Sequence, residues 1–300
     1  MRKLFQITVA IAVLTAACGG ENTAGNDGLT VLVSVVPQRY FVQRLAGDLA
    51  EVHVIIPPGA SPAAYEPSPS DLATISTADL WFSIGVPSEH GWKDDFAELN
   101  PALEIVETEG GLERLPIDRY GLPGDHGAEH DNGHDHHHGD LDPHVWLSPE
   151  LVKVQVTTMA EALIEADPEN EDIYSGNLEA FRTEIENLQT DLHRMLDPLA
   201  GKSFMVFHPA WGYFADEFGL IQVPVEIAGS EPSPGEMSDL VDHALEHEIA
   251  VIFVSPQFST ASAEAIAAEI GAEVAVLDPL AENWPDNMER AGAELQDALR

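Results

Sequence analysis

Two histidines and one aspartate lie in the sequence where a folded α/β protein would place metal ligands. His208 and Asp278 each come directly after a predicted strand, and His144 shortly precedes a predicted helix. Ligands of open α/β sheets bind beyond the carboxyl ends of the strands. Two imidazoles and a carboxylate suit zinc, which takes nitrogen, oxygen or sulfur ligands in tetrahedral geometry, whereas manganese would need further oxygen ligands. Each residue taken singly is more often a cap or a hydrogen-bonding residue, so the spacing alone leaves both interpretations open.

A His-rich segment precedes the first of these candidate ligands. Residues 121–143 have no apolar periodicity and carry many acidic side chains beside six histidines, namely His126, His130, His134, His136, His137 and His138. This composition predicts a low-complexity loop inserted in the first half of the chain. An imidazole with an ordinary pKa is mostly neutral at pH 7 and can bind metal. We therefore expect a low-affinity collector that passes metal to the candidate site; the alternative is a solvated insertion with incidental affinity.

The remaining candidate groups favour structural roles. His53 lies in a predicted strand, and His243 and His247 have the spacing of a zinc pair on a helix, but the acidic residues beside them favour a solvated helix face. No H-E-x-x-H motif is present. Glu89 could serve as a general base beside a metal-bound water, yet no spacing ties it to the other candidates. The sequence therefore offers little support for a zinc-dependent hydrolase.

The composition excludes several classes of protein. The 300 residues include 52 Asp and Glu but only 13 Lys and Arg, for a net charge of −39, which argues against nucleic-acid binding. The single Cys excludes an internal disulfide and a Cys-rich zinc finger. With 44% hydrophobic residues, the chain can bury a core and is not a disordered chain.

The N-terminus is predicted to be an export signal. A short basic start precedes an apolar run over Leu4–Leu14, which is too short to span a bilayer as a helix. Cys18 follows the small residues that end the predicted signal peptide at 1–17, as in a bacterial lipobox. We expect Cys18 to be lipidated and to anchor the protein to the periplasmic or cell-surface side of the membrane; the alternative is ordinary cleavage with an incidental Cys. Residues 18–28 are small and polar and predict a flexible tether.

Alternating strand and helix patterns predict two α/β halves. Buried β-branched runs separated by helical patterns indicate mostly parallel sheets that are covered on both faces. Between the halves, apolar residues recur at helical spacing from Ile173 to Met195 and predict one long connecting helix. The expected organisation is a first lobe over 29–168, a connecting helix over 169–198 and a second lobe over 199–300.

Several motifs together resemble those of the zinc- and manganese-binding solute-binding proteins of bacterial ABC importers. The resemblance covers essentially the whole mature chain. Besides the His-rich loop, the matching segments are PPGASPAAYEPSPSDL (57–72), DPHVWLSP (142–149), FHPAWGYFA (207–215), EPSPGEM (231–237), VSPQFST (254–260) and LDPLAENW (277–284). The resemblance implies two α/β lobes joined by one rigid helix, a metal site in the cleft between them, and delivery of the metal to a membrane permease with its ATPase.

The resemblance also implies which residues bind the metal. Carried over position by position, the ligands are His144 from the first lobe and His208 and Asp278 from the second. Histidine at position 208 resembles the zinc branch of the family, whereas glutamate there would resemble the manganese branch. We therefore expect zinc as the cargo, with manganese as the alternative. Such proteins bind and release without catalysis, so we expect a binding protein, monomeric, and not an enzyme.

One position departs from the family pattern. A His usually follows the Gly-Ala-Ser-Pro turn, and Ala63 stands there in this chain. Water could fill the position, a His from the loop over His126–His138 could supply the ligand, or a nearby carboxylate, Glu66 or Glu89, could substitute. For the two carboxylates we favour a turn hydrogen bond and a loop-fixing salt bridge, respectively. If the cleft is instead disabled, the protein is an exported metal buffer or chaperone that uses the His-rich loop.

Overall fold

The computed structural model describes residues 28–117, 141–226, 230, 232–257 and 260–300. The predicted signal peptide, Cys18 and the histidines over His126–His138 lie outside these residues. Within the described ranges, no helix is both long enough and apolar enough to cross a membrane.

A parallel four-stranded sheet forms the centre of the first lobe. Its strands lie in the order β2-β1-β3-β4, where the bounds are β1 (Leu29–Val33), β2 (Ala50–Val54), β3 (Leu80–Ser83) and β4 (Glu104–Glu107). The helices of this lobe are α1 (Val36–Ala46), α2 (Pro69–Ile75), α3 (Glu89–Leu99) and α4 (Pro149–Ala166). The middle strands β1 and β3 are mostly buried. Because parallel strands that are covered on both faces need apolar side chains in both directions, the sequences of β1 and β3 are nearly continuous apolar runs.

The second lobe repeats this strand order. Its sheet is again parallel, in the order β6-β5-β7-β8, with β5 (Ser203–Val206), β6 (Ile221–Pro224), β7 (Val251–Val254) and β8 (Glu273–Val276). Its helices are α6 (Gly212–Glu217), α7 (Pro234–Glu246), α8 (Ala261–Ile270) and α9 (Trp284–Ala298). In each sheet the chain turns back between its first and third strands, and the carboxyl ends there form a topological switch point. His208 follows β5 at this point, and Asp278 follows the edge strand β8.

A long helix connects the lobes and carries one buried stripe. This helix, α5 (Glu171–Leu196), has 26 residues and is about 39 Å long at the usual rise per residue. It packs on α1 and α4 of the first lobe and on α9 of the second. The close contact with α9 depends on Gly292, because a Cβ at that position would lie 2.6 Å from Leu192 Cδ2. One hydrophobic core therefore runs from lobe to lobe, and the predicted α/β architecture with two parallel sheets and a long connecting helix is confirmed.

Candidate metal centre

The fold brings two of the three predicted ligands together. His144 precedes α4 in the first lobe and His208 follows β5 in the second, yet their Nε2 atoms lie 3.4 Å apart. The ring centroids are 5.2 Å apart and the ring planes meet at 73°. The two imidazoles thus approach each other edge-on, each from its own lobe, and direct their Nε2 atoms at the same small space.

A carboxylate holds the other nitrogen of each imidazole. His144 Nδ1 lies 2.7 Å from Asp142 Oδ1, and His208 Nδ1 lies 2.9 Å from Glu226 Oε2. An ionised carboxylate can only accept hydrogen bonds, so each Nδ1 carries the proton and each Nε2 is left with a lone pair. The backbone N of His144 also donates to Asp142 Oδ1, at 2.9 Å. Carboxylate partners of this kind fix the tautomer and the ring orientation of metal-binding histidines.

The spacing of the two lone pairs suits a tetrahedral zinc ion. Two nitrogens at the usual zinc–nitrogen distance lie about 3.3–3.4 Å apart when they subtend a tetrahedral angle. The same bonds at the right angle of an octahedral site would bring the nitrogens to about 2.9 Å. The 3.4 Å between His144 and His208 matches the tetrahedral value.

Electrostatics keep His208 available as a ligand. Burial lowers the pKa of His208, the neighbouring His144 acts in the same direction, and the hydrogen bond to Glu226 opposes both. The net direction is downward, so the neutral imidazole is favoured at pH 7. Metal binding requires this neutral form.

Asp278, the third predicted ligand, is oriented by neighbours of its own lobe. Its Oδ1 accepts hydrogen bonds from Gln257 Nε2 and from the backbone N of Leu280, both at 2.9 Å; Oδ2 takes part in neither bond. Among the residues that the structure describes, no group of three or more His, Cys, Asp and Glu side chains is arranged to hold a metal ion. The structure therefore brings His144 and His208 together and leaves Asp278 outside that pair.

The other carboxylates considered for the site have different positions. Ala63 and Glu66 are both exposed. Glu89 is buried, and its carboxylate accepts hydrogen bonds from the backbone N of Ile84 and of Gly85 at 2.7–3.2 Å. In place of the expected loop-fixing salt bridge, backbone amides and the side chain of Ser34 hold the Glu89 carboxylate among the described residues. Burial raises the pKa of Glu89 to about 7.

Three other described histidines have contacts of their own. His53 Nε2 pairs with Glu51 at 3.2 Å. The rings of His243 and His247 contact each other at a tilt of 33°, with their centroids 4.2 Å apart. The solvated helix face predicted for them is wrong for His243, which is buried. His243 lies on the buried apolar stripe of α7. The prediction considered only the acidic residues beside it and not the helical periodicity that places it on this stripe.

Aromatic side chains form hydrogen bonds between the two lobes near the histidine pair. Trp146 Nε1 donates to the carbonyl of Pro279 at 2.7 Å, and Trp284 Nε1 donates to the carbonyl of Trp146 at 2.7 Å. Tyr213 of α6 donates to the carbonyl of Asp142 at 2.8 Å. These bonds join the segment around His144 to Pro279, which follows Asp278, to the start of α9 and to α6. The aromatic rings are packing residues and also connectors between the lobes.

Polar contacts strengthen the same junction. Glu217, at the end of α6, accepts hydrogen bonds from the side chain of Ser148, which caps α4, and from Gln189 Nε2 of α5 at 2.8 Å. Burial raises the pKa of Glu217. Arg39 of α1 pairs with Glu282 at 2.9 Å. These contacts therefore bond elements of the first lobe and the connecting helix to elements of the second lobe.

Sequence reasoning missed three residues of this centre. Asp142, Glu226 and Gln257 are all polar partners of predicted ligands. Two of them could have been predicted from their positions, because Glu226 and Gln257 follow the strands β6 and β7 just as His208 follows β5. Side chains at the carboxyl ends of adjacent parallel strands meet at one edge of the sheet.

Known proteins resemble the chain over nearly its whole length. The family model described as "ZnuA: Zinc-uptake complex component A periplasmic" matches residues 31–298. The high-affinity zinc uptake system protein ZnuA of Bacillus subtilis is 31% identical over 290 residues, which cover 91% of this chain and 87% of the relative. The manganese-binding lipoprotein MntA of Halalkalibacterium halodurans is 27% identical and covers 90% and 86% of the two chains. A crystal structure of ZnuA superposes with a TM-score of 0.82 and 39% identity, over 91% of this chain and 100% of its own.

Proposed function

This chain belongs to the family of periplasmic zinc-uptake complex components A, and on that premise we propose that it captures zinc between its lobes and delivers the ion to the permease of an ABC importer. It is a transport component rather than an enzyme. The observation that carries the proposal is the pair His144 and His208, whose Nε2 atoms are 3.4 Å apart while carboxylates hold both Nδ1 atoms. Such a pair presents two lone pairs to one cation.

The proposed ligands are His144, His208 and Asp278, with a water in the fourth position. Support for Asp278 comes from the bond between Trp146 and Pro279, which ties the loop of Asp278 to the loop of His144. Its Oδ1 is already occupied by two donors, so Oδ2 is the oxygen that would turn toward the ion. This water would take the place of the histidine that the family usually has at position 63.

Zinc is the favoured cargo on chemical grounds. The centre offers two imidazoles at a tetrahedral spacing, whereas manganese favours oxygen-rich sites with more ligands. Relatives of this chain carry both metals in their names, so the family alone does not choose between them. The nitrogen pair supports zinc.

Release follows from the placement of the ligands on different lobes. His144 belongs to the first lobe and His208 to the second, so a small separation of the lobes removes a ligand and weakens binding. The continuous core along α5 and the bonds from Trp146 and Glu217 oppose that separation. We propose that docking on the permease supplies the force that the free protein lacks, while the ATPase drives transport.

The proposed setting of the protein is the periplasmic or cell-surface side of the membrane. After removal of 1–17, Cys18 would carry the lipid anchor and residues 18–28 would act as the tether. Relatives named as lipoproteins support this assignment. The lobes over 29–168 and 199–300, joined by 169–198, would act as a monomer, and the histidines over His126–His138 would collect metal at low affinity.

Competition titration of the metal-stripped mature protein tests this function. We expect one tight zinc site that binds manganese far more weakly and that is lost in His208→Ala. The matched control is His193→Ala, since His193 also pairs with a carboxylate, Asp197 at 2.9 Å, but lies on the exposed side of α5. A tight site that survives His208→Ala refutes the proposed ligands. Several weak sites unchanged by His208→Ala would instead indicate a metal buffer that uses the His-rich loop.

A further inference from the structure

Gln257 has a buried amide oxygen for which the described residues provide no hydrogen-bond donor. The residue follows β7, and its Nε2 donates to Asp278 Oδ1 at 2.9 Å. Its Oε1 is buried and has no partner in the described part of the chain. Buried polar atoms in folded proteins are nearly always paired, with protein or with ordered water, so an exception calls for an explanation.

The contact with Asp278 determines which way the amide faces. A carboxylate accepts but does not donate, so the NH₂ group of Gln257 must face it and the oxygen must face the other way. In a planar amide the oxygen lies about 2.2 Å from the nitrogen. Oε1 is therefore within about 5 Å of Asp278 Oδ1, given the 2.9 Å bond and the amide dimensions. The unpaired acceptor thus lies beside a proposed zinc ligand.

The donor that fits this acceptor is a zinc-bound water. Two imidazoles and one carboxylate leave a tetrahedral zinc ion with one open position, which water fills. A metal-bound water is more acidic than free water and is a strong hydrogen-bond donor. Direct binding of Oε1 to the zinc ion would be less suitable, because amide oxygens are ligands that calcium and manganese favour.

We propose that Gln257 is a positioning residue that orients Asp278 through Nε2 and holds the zinc-bound water through Oε1. This inference rests on the proposed function, since it takes Asp278 as a ligand. Gln257 then does for Asp278 what Asp142 and Glu226 do for the two histidines. Its second hydrogen bond explains how three protein ligands hold the ion where Ala63 supplies none.

The test uses Gln257→Met, which keeps the side-chain length and removes both hydrogen bonds. The matched control is Gln296→Met, because Gln296 is a half-buried glutamine whose Nε2 donates to the carbonyl of Met195 between α9 and α5. Each mature protein is stripped of metal, titrated with zinc against a competing chelator, and separately loaded with Co²⁺. The Co²⁺ absorption spectrum is then followed while azide is added, since azide replaces a bound water and changes the spectrum.

Removing a partner of a metal ligand costs about 10–100-fold in affinity, and we expect a loss of that size in Gln257→Met but not in Gln296→Met. We also expect azide to displace the less firmly held water at a lower concentration than in the wild type. A zinc affinity and azide response equal to those of Gln296→Met would overturn the proposal, as would a wild-type Co²⁺ spectrum that azide leaves unchanged.

Failure of the proposed function gives a different pattern. If His208→Ala retains tight zinc binding, the ligand assignment itself is wrong. If His208→Ala loses the site while Gln257→Met behaves as the wild type, only the role of Gln257 is wrong. Should Gln257→Met unfold at a lower temperature than Gln296→Met, Gln257→Leu provides the second variant, with the same expected results.

Discussion

Replacing Glu226 by Gln tests whether the carboxylates behind the histidines contribute to zinc binding. Glu226 Oε2 lies 2.9 Å from His208 Nδ1. Gln has nearly the same shape and its oxygen can still accept that hydrogen bond, so the variant removes mainly the negative charge. We expect zinc to bind about 10–100-fold more weakly, which corresponds to about 1.4–2.7 kcal/mol.

The geometry supports that magnitude. A zinc ion on Nε2 of His208 would lie about 7 Å from the carboxylate, across the imidazole ring and one metal–nitrogen bond. Coulomb's law for charges of +2 and −1 at this separation gives about 1 kcal/mol in water and about 5 kcal/mol at an effective dielectric constant of about 20. The two side chains are 18% and 10% exposed, so the site is neither bulk water nor dry interior. The expected loss lies between the two limits.

The assay is a competition titration of zinc against a chromophoric chelator. Glu282→Gln is the control, because it removes the same charge from an exposed carboxylate of the second lobe that pairs with Arg39. Glu226→Ala should bind zinc still more weakly than Glu226→Gln, since Nδ1 of His208 then loses its acceptor. An affinity of Glu226→Gln within about threefold of Glu282→Gln, well under the tenfold minimum expected for such a partner, would show that the charge does not act on the metal.

Three further predictions concern the fourth ligand, the core and the pH dependence. Ala63→His should tighten zinc binding by about tenfold or more, equivalent to about 1.4 kcal/mol, and should abolish the azide response of the Co²⁺ protein; unchanged affinity and azide response would place position 63 outside the site. Gly292→Ala should lower the free energy of unfolding by about 0.5–2 kcal/mol, measured in urea, because crowding of the added Cβ, 2.6 Å from Leu192 Cδ2, costs about 1–3 kcal/mol and outweighs the gain of about 0.5–1 kcal/mol from replacing a glycine inside a helix; zinc affinity should not change. Glu89 has a pKa of about 7 in the folded state, above its ordinary value of 4.5. Between these two pH values the folded state therefore binds more protons than the unfolded state. The contribution of Glu89 to the free energy of unfolding thus falls by about 3 kcal/mol as the pH rises through this window. Urea titrations at pH 5 and 7.5 should show a smaller loss in Glu89→Gln than in the wild type, and equal losses would contradict the assignment.

Much of this protein is readable from local patterns. The apolar runs of β1 and β3 predict buried parallel strands, because such strands must satisfy two covered faces. The spacing of apolar residues in α5 predicts its buried stripe, because 3.6 residues per turn places them on one side. His208 and Asp278 could be singled out because they follow strands, where open α/β sheets bind ligands.

Only the tertiary structure decides how these groups meet. The distance between His144 and His208 depends on how two lobes are docked, and no spacing within either segment encodes it. Two partners of the predicted ligands are equally non-local, since Glu226 lies 18 residues from His208 and Gln257 lies 21 residues from Asp278. His243 shows that local sequence can also mislead, because its acidic neighbours predict a solvated side chain while the packing of α7 buries it. The sequence by itself determines the elements and the candidate ligands, because those depend on local periodicity and residue chemistry; the pair of His144 and His208 forms only when folding brings the two lobes together.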